Sequence, residues 1–395
     1  METPHGDIEL SVVMPCLNEA DTLETCVRKA LTALESAGIN GEVIVADNGS
    51  TDDSRDIARR LGARVVEIEQ RGYGSALQGG IAAARGRYIL MGDADDSYDF
   101  SEIPKFVAKL REGFDLAQGC RLPAGGGRVL PGAMPFLHRW WGNPMFAALT
   151  RLMFRAPIHD PHCGMRAFTK EFYERLEMRS PGMEFATEMI IKSSVRREKT
   201  AEIPISLYPD GRHTHGPHLR TFRDGWRHLR FFLMSSPKWL FTIPGVFAMV
   251  VGLVFAALAF GGAMIGPARL DVHTLLFSSL AIILGFQTVT FGVFARKYGI
   301  DEGLLFAGRK SSKLLRWLSL ERGLLIGGLI FLAGAVILGI AVLSWIRVDF
   351  GDLDYSATMR LVIPGFTLAA LGFQVVFSSF LMTVLGIDVP PSATV

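Results

Sequence analysis

The chain has 395 residues, 41 Lys and Arg against 39 Asp and Glu, and a formal net charge of +2. Its hydrophobic content of 49% and mean hydropathy of +0.28 are high for a wholly soluble protein, and so small a net charge gives no basis for a nucleic-acid partner. The four cysteines, Cys16, Cys26, Cys120 and Cys163, are scattered without a C-x-x-C pair, which excludes a structural zinc module and suits a reducing compartment. His159-Asp160-Pro161-His162-Cys163 holds ligand-type side chains, but its spacing fits no standard zinc pattern.

The first 235 residues mix charged and apolar positions as a soluble domain does. Ile8–Met14 reads as a strand, followed by Asn18-Glu19-Ala20-Asp21, with Asp21 or Thr22 placed to cap a helix. Leu23, Val27, Leu31 and Leu34 recur at helical spacing, and Gly38 ends that helix. Glu42–Ala46 is a second strand ending at Asp47. Asn48-Gly49-Ser50-Thr51-Asp52 is turn chemistry that caps a helix running to Leu61. Ala63–Ile68 is a third strand, Arg71–Ser75 a loop before a helix to Arg85, and Arg87–Met91 a fourth strand. This alternation predicts an α/β domain with a doubly wound, mostly parallel sheet whose ligands lie at the carboxyl ends of the strands. Asn18, Glu19, Asp47, Arg71, Asp93 and Asp95 all follow strand ends and so share one edge. Singly, each could be a helix cap; Asp47 and Asp52 fit that role well.

The fourth strand runs into MGDADDSYDF, and with Glu102 five carboxylates fall within twelve residues. Like charges this close need a cation among them. Asp93-Ala94-Asp95 offers two hard oxygen donors, which suit Mg²⁺ or Mn²⁺ beside a diphosphate.

Two later segments are amphipathic. Met134–Phe154 is rich in Trp, Phe, Leu and Met with only Arg139 and Arg151 charged, and Gly142 and Pro144 interrupt it. It reads as a surface helix pair lining an acceptor cleft, with an ordinary core helix as the other reading. Phe222–Trp239 interleaves Arg223, Arg227 and Arg230 with Trp226, Phe231, Phe232 and Leu233, the pattern of an interfacial helix.

Four uncharged runs follow: Trp239–Ala268, Val272–Ala295, Gly323–Ile346 and Leu361–Ile387. Each exceeds the roughly 20 apolar residues that cross a bilayer core. The loop between the second and third carries Arg296, Lys297, Arg309, Lys310, Lys313, Arg316 and Arg322, so it is expected in the cytoplasm, with both termini and the soluble domain on that side. Residues 1–15 lack the pattern of a secretory signal. The expected division is a cytoplasmic α/β domain over 1–218, a juxtamembrane helix over 219–239 and a four-helix transmembrane domain over 240–388, in the cell's inner (plasma) membrane.

P-C-L-N-E at 15–19, D-N-G-S at 47–50, D-A-D at 93–95, G-C-R at 119–121 and D-P-H-C-G-M-R-A-F at 160–168 together resemble the inverting family 2 glycosyltransferases, and more narrowly the polyprenyl-phosphate (dolichyl-phosphate) hexose synthases. R-D-G-W-R-H-L-R-F at 223–231 is similar to bacterial members of that type. The resemblance implies a GT-A fold, a Mg²⁺ or Mn²⁺ cofactor, a nucleotide sugar as donor and a polyprenyl phosphate as acceptor. It implies that Pro15, Leu17, Asn18, Glu19 and Asp47 contact the nucleoside and that Arg71 lies near the base or phosphates. Asp93 and Ala94 would lie under the ribose and diphosphate, and Asp95 would hold the metal. Relatives often place a further ligand two residues on, where this chain has Ser97. Arg121 and Arg212 would bind phosphate. Where relatives follow the latter arginine with lysines, this chain has His213, His215 and His218, which would make phosphate binding pH-sensitive. Asp160 is the position often proposed as a base, and here it is expected to orient Arg166 or the acceptor at least as much. Arg139, Trp140, Asn143, Arg223 and Arg227 are the candidates facing the acceptor and the membrane.

A phosphate monoester is already mostly dianionic at neutral pH, its second pKa being about 6. Arginines and a cation, rather than a base, are what its attack requires, with Arg121, Arg166, Arg212 and Arg139 as candidates. UDP-glucose is the favoured donor and GDP-mannose the other candidate. Relatives occur as monomers and tetramers, which leaves a homo-oligomer open. A processive polysaccharide synthase is the nearest rival, but its Q-x-x-R-W motif is missing: Phe136 precedes Arg139-Trp140, and Lys313 precedes Arg316-Trp317. A transporter is disfavoured because the spans hold no charged residue, only Gln287 and Gln374 as larger polar groups.

Overall fold

The structure is a computed structural model that describes residues 8–213, 221–301 and 319–385. His215 and His218, and Arg309, Lys310, Lys313 and Arg316 of the basic loop, lie outside the described residues. The chain forms two compact units, Met1–Phe232 and Leu233–Val395.

The first unit is built on a seven-stranded sheet. Strands β1 (Leu10–Cys16), β2 (Gly41–Asp47), β3 (Arg64–Glu67), β4 (Tyr88–Met91), β5 (Leu116–Cys120), β7 (Arg166–Thr169) and β8 (Thr200–Pro204) stand in the order β3-β2-β1-β4-β7-β5-β8. β6 (Arg128–Val129) pairs separately with β9 (Ser206–Leu207). All pairings in the large sheet are parallel except those of β7, which runs antiparallel between β4 and β5. The doubly wound, mostly parallel sheet of GT-A type is thus present as expected. β7 was not anticipated.

Strand β1 is apolar at nearly every position because helices cover both of its faces. Val12 and Met14 join a core with Leu23, Val27 and Leu34 of α1 (Leu23–Ser36) and Phe106 and Leu110 of α4 (Ile103–Arg111). Val13 points the other way, to Leu77 and Ile81 of α3 (Tyr73–Ala83) and Met189 and Ile190 of α7 (Phe185–Arg196). Between β2 and β3 lies α2 (Ser54–Arg60).

The expected helix pair in Met134–Phe154 is instead one helical run from residue 136 to 154, with a wide π-turn over His138–Gly142 leading into α5 (Asn143–Phe154). Pro144 has no N–H and its ring crowds the carbonyl four residues back. The wider turn, in which Asn143 N–H reaches His138 O, absorbs it without a break. The same device precedes Pro244, over Lys238–Thr242. The short helix α6 spans Lys170–Leu176, and α8 (Thr221–Met234) closes the unit, seating the buried Phe232 against Phe146, Phe154 and Ile191.

The second unit holds α9 (Ile243–Phe260), α10 (Val272–Asp301), α11 (Leu320–Ile346) and α12 (Tyr355–Val384). These give four spans long and apolar enough to cross a membrane, as expected; the first, from Lys238, ends at Phe260 before a small hairpin, Met264–Ile265 with Ala268–Arg269. Between 17% and 28% of each apolar window is buried within the protein, so most of that surface faces outward. The helices meet through glycines. A methyl group on Gly245 would lie 2.6 Å from Gly285 O, and one on Gly372 would lie 2.3 Å from Phe331 N. Ser279 and Thr367 share a hydrogen bond of 2.6 Å between α10 and α12, and Asp271 pairs with Arg360 at 3.0 Å.

Candidate active site

The loops that follow β1 and β2 are bound together by short polar contacts. Asn18 stands in the left-handed region at φ 61°, and its Oδ1 accepts from Thr51 N at 2.8 Å. Glu19 N donates to Ser54 Oγ, and Ala20 N to Asp52 Oδ2, both at 3.0 Å. Asp47, at the tip of β2, accepts from Gly49 N at 3.1 Å and Ser50 N at 3.2 Å, so its carboxylate shapes this turn in the manner of an Asx-turn. Asn48 Nδ2 donates to Ile68 O and Gln70 O, and its Oδ1 accepts from Gly72 N, which pins the loop carrying Arg71. Arg71 donates back to Asn48 O and lies over Gly49. Pro15 is half-buried in β1, and Leu17 follows it at the same edge.

The acidic run after β4 is resolved by four partners. Tyr73 OH donates to Asp93 Oδ1 at 2.8 Å, and Lys29 Nζ to Asp96 Oδ1 at 2.7 Å. Asp95 Oδ1 accepts from Ser97 N at 3.1 Å and Ser97 Oγ at 2.6 Å. Asp95 Oδ2 accepts from Arg212 Nη2 at 2.9 Å, and that guanidinium also meets Glu19 Oε1 at 3.1 Å and Asp210 Oδ2 at 2.7 Å. Ala94 is buried and its carbonyl accepts from Thr22 Oγ1 at 2.6 Å. The hydroxyl expected to cap α1 therefore ties that helix to the acidic loop, and Asp21, the other expected cap, accepts from His213 N. Burial, and then the neighbouring Asp95, push the Asp93 carboxyl up to about 6, against the lowering effect of Tyr73, Arg121 and Arg212.

Two half-buried carboxylates with hard oxygen donors, side by side at one strand end, fit a divalent cation. Among the described residues no cluster of three His, Cys, Asp or Glu side chains forms a cage, so the remaining ligands would come from substrate and water. Ser97 directs its hydroxyl proton onto Asp95, an arrangement that orients the aspartate.

A second charged centre lies on the adjoining strands. Asp160 Oδ2 accepts from Arg121 Nε at 2.7 Å and from Arg121 N at 2.9 Å, while Oδ1 accepts from Arg121 Nη2 at 2.9 Å. Burial works to raise this carboxyl, but the charge and hydrogen bonds of Arg121 outweigh it and hold it below the ordinary value. Asp160 thus orients Arg121, not Arg166 as expected. Arg166 is fully buried in β7 and donates to the carbonyls of Ala186, Pro161 and Cys163. It cross-braces the loop before β7 and α7, and does not reach the surface.

Tyr98 links the two centres: its hydroxyl accepts from Gly164 N at 2.8 Å and lies 3.5 Å from Arg121 Nη1. A methyl group on Gly164 would lie 2.5 Å from Asp93 Oδ2. Tyr73 and Tyr98 were missed by sequence reasoning, because an isolated tyrosine carries no motif, and Thr22 was read only as a helix cap. Arg212 does join Glu19 and Asp95, which lie far from it in the chain.

Of the acceptor candidates, Arg139 stacks over Trp140 at 5.6 Å and Asn143 Nδ2 donates to Met134 Sδ. Trp140 and Trp141 are exposed, with Phe136 and Leu137 beside them. Burial, and then the Arg121 charge, hold the nearby His138 imidazole below its usual value. On α8, Arg223 is exposed, while Arg227 Nε pairs with Glu184 Oε1 at 2.9 Å.

Residues 11–177 match the description of glycosyl transferase family 2, and residues 293–386 match the glycosyltransferase family 2 C-terminal transmembrane region. The chain is 38% identical over 384 residues to the low-salt glycan biosynthesis hexosyltransferase of Haloferax volcanii, across 95% of this chain and 89% of that protein. It is 32% identical over 197 residues to the dolichyl-phosphate hexose transferase of the same organism, across 50% of this chain and 82% of that protein. Among solved structures, glucosyl-3-phosphoglycerate synthase from Mycobacterium tuberculosis, in complex with Mn²⁺, UDP and glucosyl-3-phosphoglycerate, is similar at a TM-score of 0.45 and 25% identity, across 57% of this chain and 79% of that one. The chain belongs to glycosyltransferase family 2. It is a glycosyltransferase with a multi-pass transmembrane tail.

Proposed function

We propose that the protein transfers a hexose from a nucleotide sugar, UDP-glucose in first place and GDP-mannose in second, to a polyprenyl phosphate, inverting the anomeric carbon to give a β-linked lipid-phosphate hexose. The observation that carries this reading is the pairing of two centres at one sheet edge: the half-buried Asp93–Asp95 carboxylates and the Arg121 fork held by Asp160. The names of the two Haloferax volcanii relatives, a glycan-biosynthesis hexosyltransferase and a dolichyl-phosphate hexose transferase, support the reaction class and the acceptor.

The donor's nucleoside would rest on Pro15, Leu17, Asn18, Glu19 and Asp47, with Arg71 at the rim. Asp93 and Asp95 would hold Mg²⁺ or Mn²⁺, with Ser97 and Tyr73 fixing their orientation. When bound, that ion supplies positive charge for the departing nucleoside diphosphate. Arg212 and Arg121 would take the phosphates of donor and acceptor. An Asp160 engaged in three hydrogen bonds with Arg121 is a weak proton acceptor, which suits an acceptor that arrives without a proton to remove. Direct attack of the lipid phosphate oxygen on the anomeric carbon then needs charge stabilisation above all.

In this reading residues 1–218 form the catalytic domain, residues 219–239 lie in the membrane interface and residues 240–388 anchor the enzyme in the inner (plasma) membrane with its site on the cytoplasmic side. Trp140, Arg139 and Asn143 on the exposed aromatic helix, with Arg223 and Arg227 on α8, would meet the lipid headgroup. Incubation of the purified full chain with Mg²⁺, undecaprenyl phosphate and a panel of radiolabelled nucleotide sugars tests it. Label in the organic phase from one donor is expected, whereas label in a growing water-soluble polymer would instead identify a processive synthase.

A further inference from the structure

Three donors converge on one carboxylate beside the Arg121–Asp160 pair. Glu202 Oε1 accepts from His159 N at 2.6 Å and from Asp160 N at 3.0 Å, and Glu202 Oε2 lies 2.7 Å from His159 Nδ1. A carboxylate only accepts, so that imidazole nitrogen carries the hydrogen. Glu202 comes from β8, in register with Gln118 of β5. Gln118 holds the same loop from its carbonyl side, donating to Asp160 O at 3.1 Å and Cys163 O at 3.3 Å. Two neighbouring strands therefore grip the loop that delivers Asp160, one by its N–H groups and one by its carbonyls. Asp160 in turn carries three of the hydrogen bonds that aim Arg121.

We propose that Glu202 is a positioning residue for transfer: it fixes the backbone of His159 and Asp160, and through the Asp160 carboxylate it sets the direction of the Arg121 guanidinium. This rests on the role given to Arg121 above. Glutamine keeps one oxygen for the two backbone N–H groups, which already share Oε1, and its amide can meet His159 Nδ1 in the other tautomer, so Glu202→Gln is the conservative variant that should retain function. Aspartate is one methylene too short to reach all three donors from the same strand position.

The consequence falls on the acceptor phosphate and the chemical step. The donor's nucleoside contacts lie on the loops after β1 to β3, which Glu202 does not touch, so donor binding is spared while the arginine loses its aim. A displacement of about 1 Å at a reacting group costs on the order of 10²-fold in rate.

The test is a double-mutant cycle in the full-length, membrane-embedded enzyme, with Glu202→Ala and Glu202→Asp each made alone and together with Asp160→Asn, Glu202→Gln as the conservative control, and transfer to polyprenyl phosphate measured. Glu202→Ala and Glu202→Asp are each expected to lose about 10²-fold in kcat, and Glu202→Gln to lose less than about tenfold, the difference between a charged and a neutral acceptor. The donor KM should stay within about twofold. On the Asp160→Asn background neither should lose more than Asp160→Asn does alone. Unchanged kcat in both Glu202→Ala and Glu202→Asp, a loss carried by donor KM, or losses that multiply in the double variants would each overturn the proposal while leaving the role of Arg121 standing. An Asp160→Asn enzyme with wild-type kcat would instead remove the Arg121–Asp160 pair from the reaction, and the role of Glu202 with it.

Discussion

Arg212 Nη2 stands 2.9 Å from Asp95 Oδ2, and the same guanidinium reaches Glu19 Oε1 at 3.1 Å. The carboxylate best placed to hold a cation is thus already neutralised by an arginine that arrives from 117 residues away. A divalent ion binding Asp95 competes with that guanidinium. Arg212→Ala should therefore bind Mn²⁺ more tightly than the wild type in the absence of nucleotide, by about tenfold, the equivalent of one charge-assisted hydrogen bond of ~1.4 kcal/mol. Electron paramagnetic resonance of free Mn²⁺, titrated against the purified full chain, reads this directly. Equal or weaker binding by the variant would show that the guanidinium does not compete.

Gly164 is required by proximity. A side-chain carbon there would come within 2.5 Å of Asp93 Oδ2 and 3.2 Å of the Tyr98 hydroxyl. Gly164→Ala should displace both groups and reduce transfer by about 10²-fold, with a loss of stability of about 1–3 kcal/mol for the added methyl. Activity assays beside thermal unfolding would check both, and a fully active variant would mean that the Asp93 carboxylate can move freely.

His162 makes the fold acid-sensitive. Its imidazole is held down to about 3, first by burial and then by His228, whose ring centroid lies 5.0 Å away; Phe146 meets it edge-on at 5.2 Å. The unfolded chain takes up a proton at about 6.5 and the folded chain does not. The stability this supplies is complete above about 6.5 and is lost as pH falls from there towards 3. At pH 5 the loss is roughly 2 kcal/mol relative to pH 7.5. His162→Phe should lose correspondingly less stability between those pH values in denaturant titrations. Parallel losses in variant and wild type would rule His162 out as the titrating group.

The tail depends on backbone approach. With Gly372 only 2.7 Å, by its would-be methyl carbon, from Gly327 O and 2.3 Å from Phe331 N, α11 and α12 have no room for a side chain at that crossing. Gly372→Val should lower the detergent-solubilised unfolding temperature, at a cost of at least about 1–3 kcal/mol. Gly339→Val, where a methyl group meets nothing within 4 Å, is the matched control and should leave it unchanged.

Much of this was legible in the residues. The runs Leu10–Cys16, Gly41–Asp47 and Tyr88–Met91 declare buried strands because both faces of a parallel sheet are covered, and the spans declare themselves by length without charge. The carboxylate pair was visible because it follows a strand directly. Strand β7 was not, because an antiparallel insertion between β4 and β5 is decided by pairing across the sheet and leaves no local pattern. The partner of Asp160 was misread for the same reason: Arg166 is near in sequence, yet the β5 end carries Arg121 to the carboxylate, and β7 turns Arg166 into the interior. Pro144 suggested a break because a proline normally ends a helix, and the π-turn that accommodates it has no signature of its own.

The most direct measurement is transfer of radiolabelled hexose from a nucleotide sugar into the polyprenyl-phosphate lipid fraction by wild type and Asp95→Asn, each with Mn²⁺ and with EDTA. Label in lipid from the wild type with Mn²⁺ is expected, with loss of at least about 10²-fold on EDTA treatment or in the variant, whose folding and membrane insertion stay intact. Wild-type turnover by Asp95→Asn, or transfer indifferent to EDTA, would contradict the role of the acidic pair as the seat of a catalytic cation.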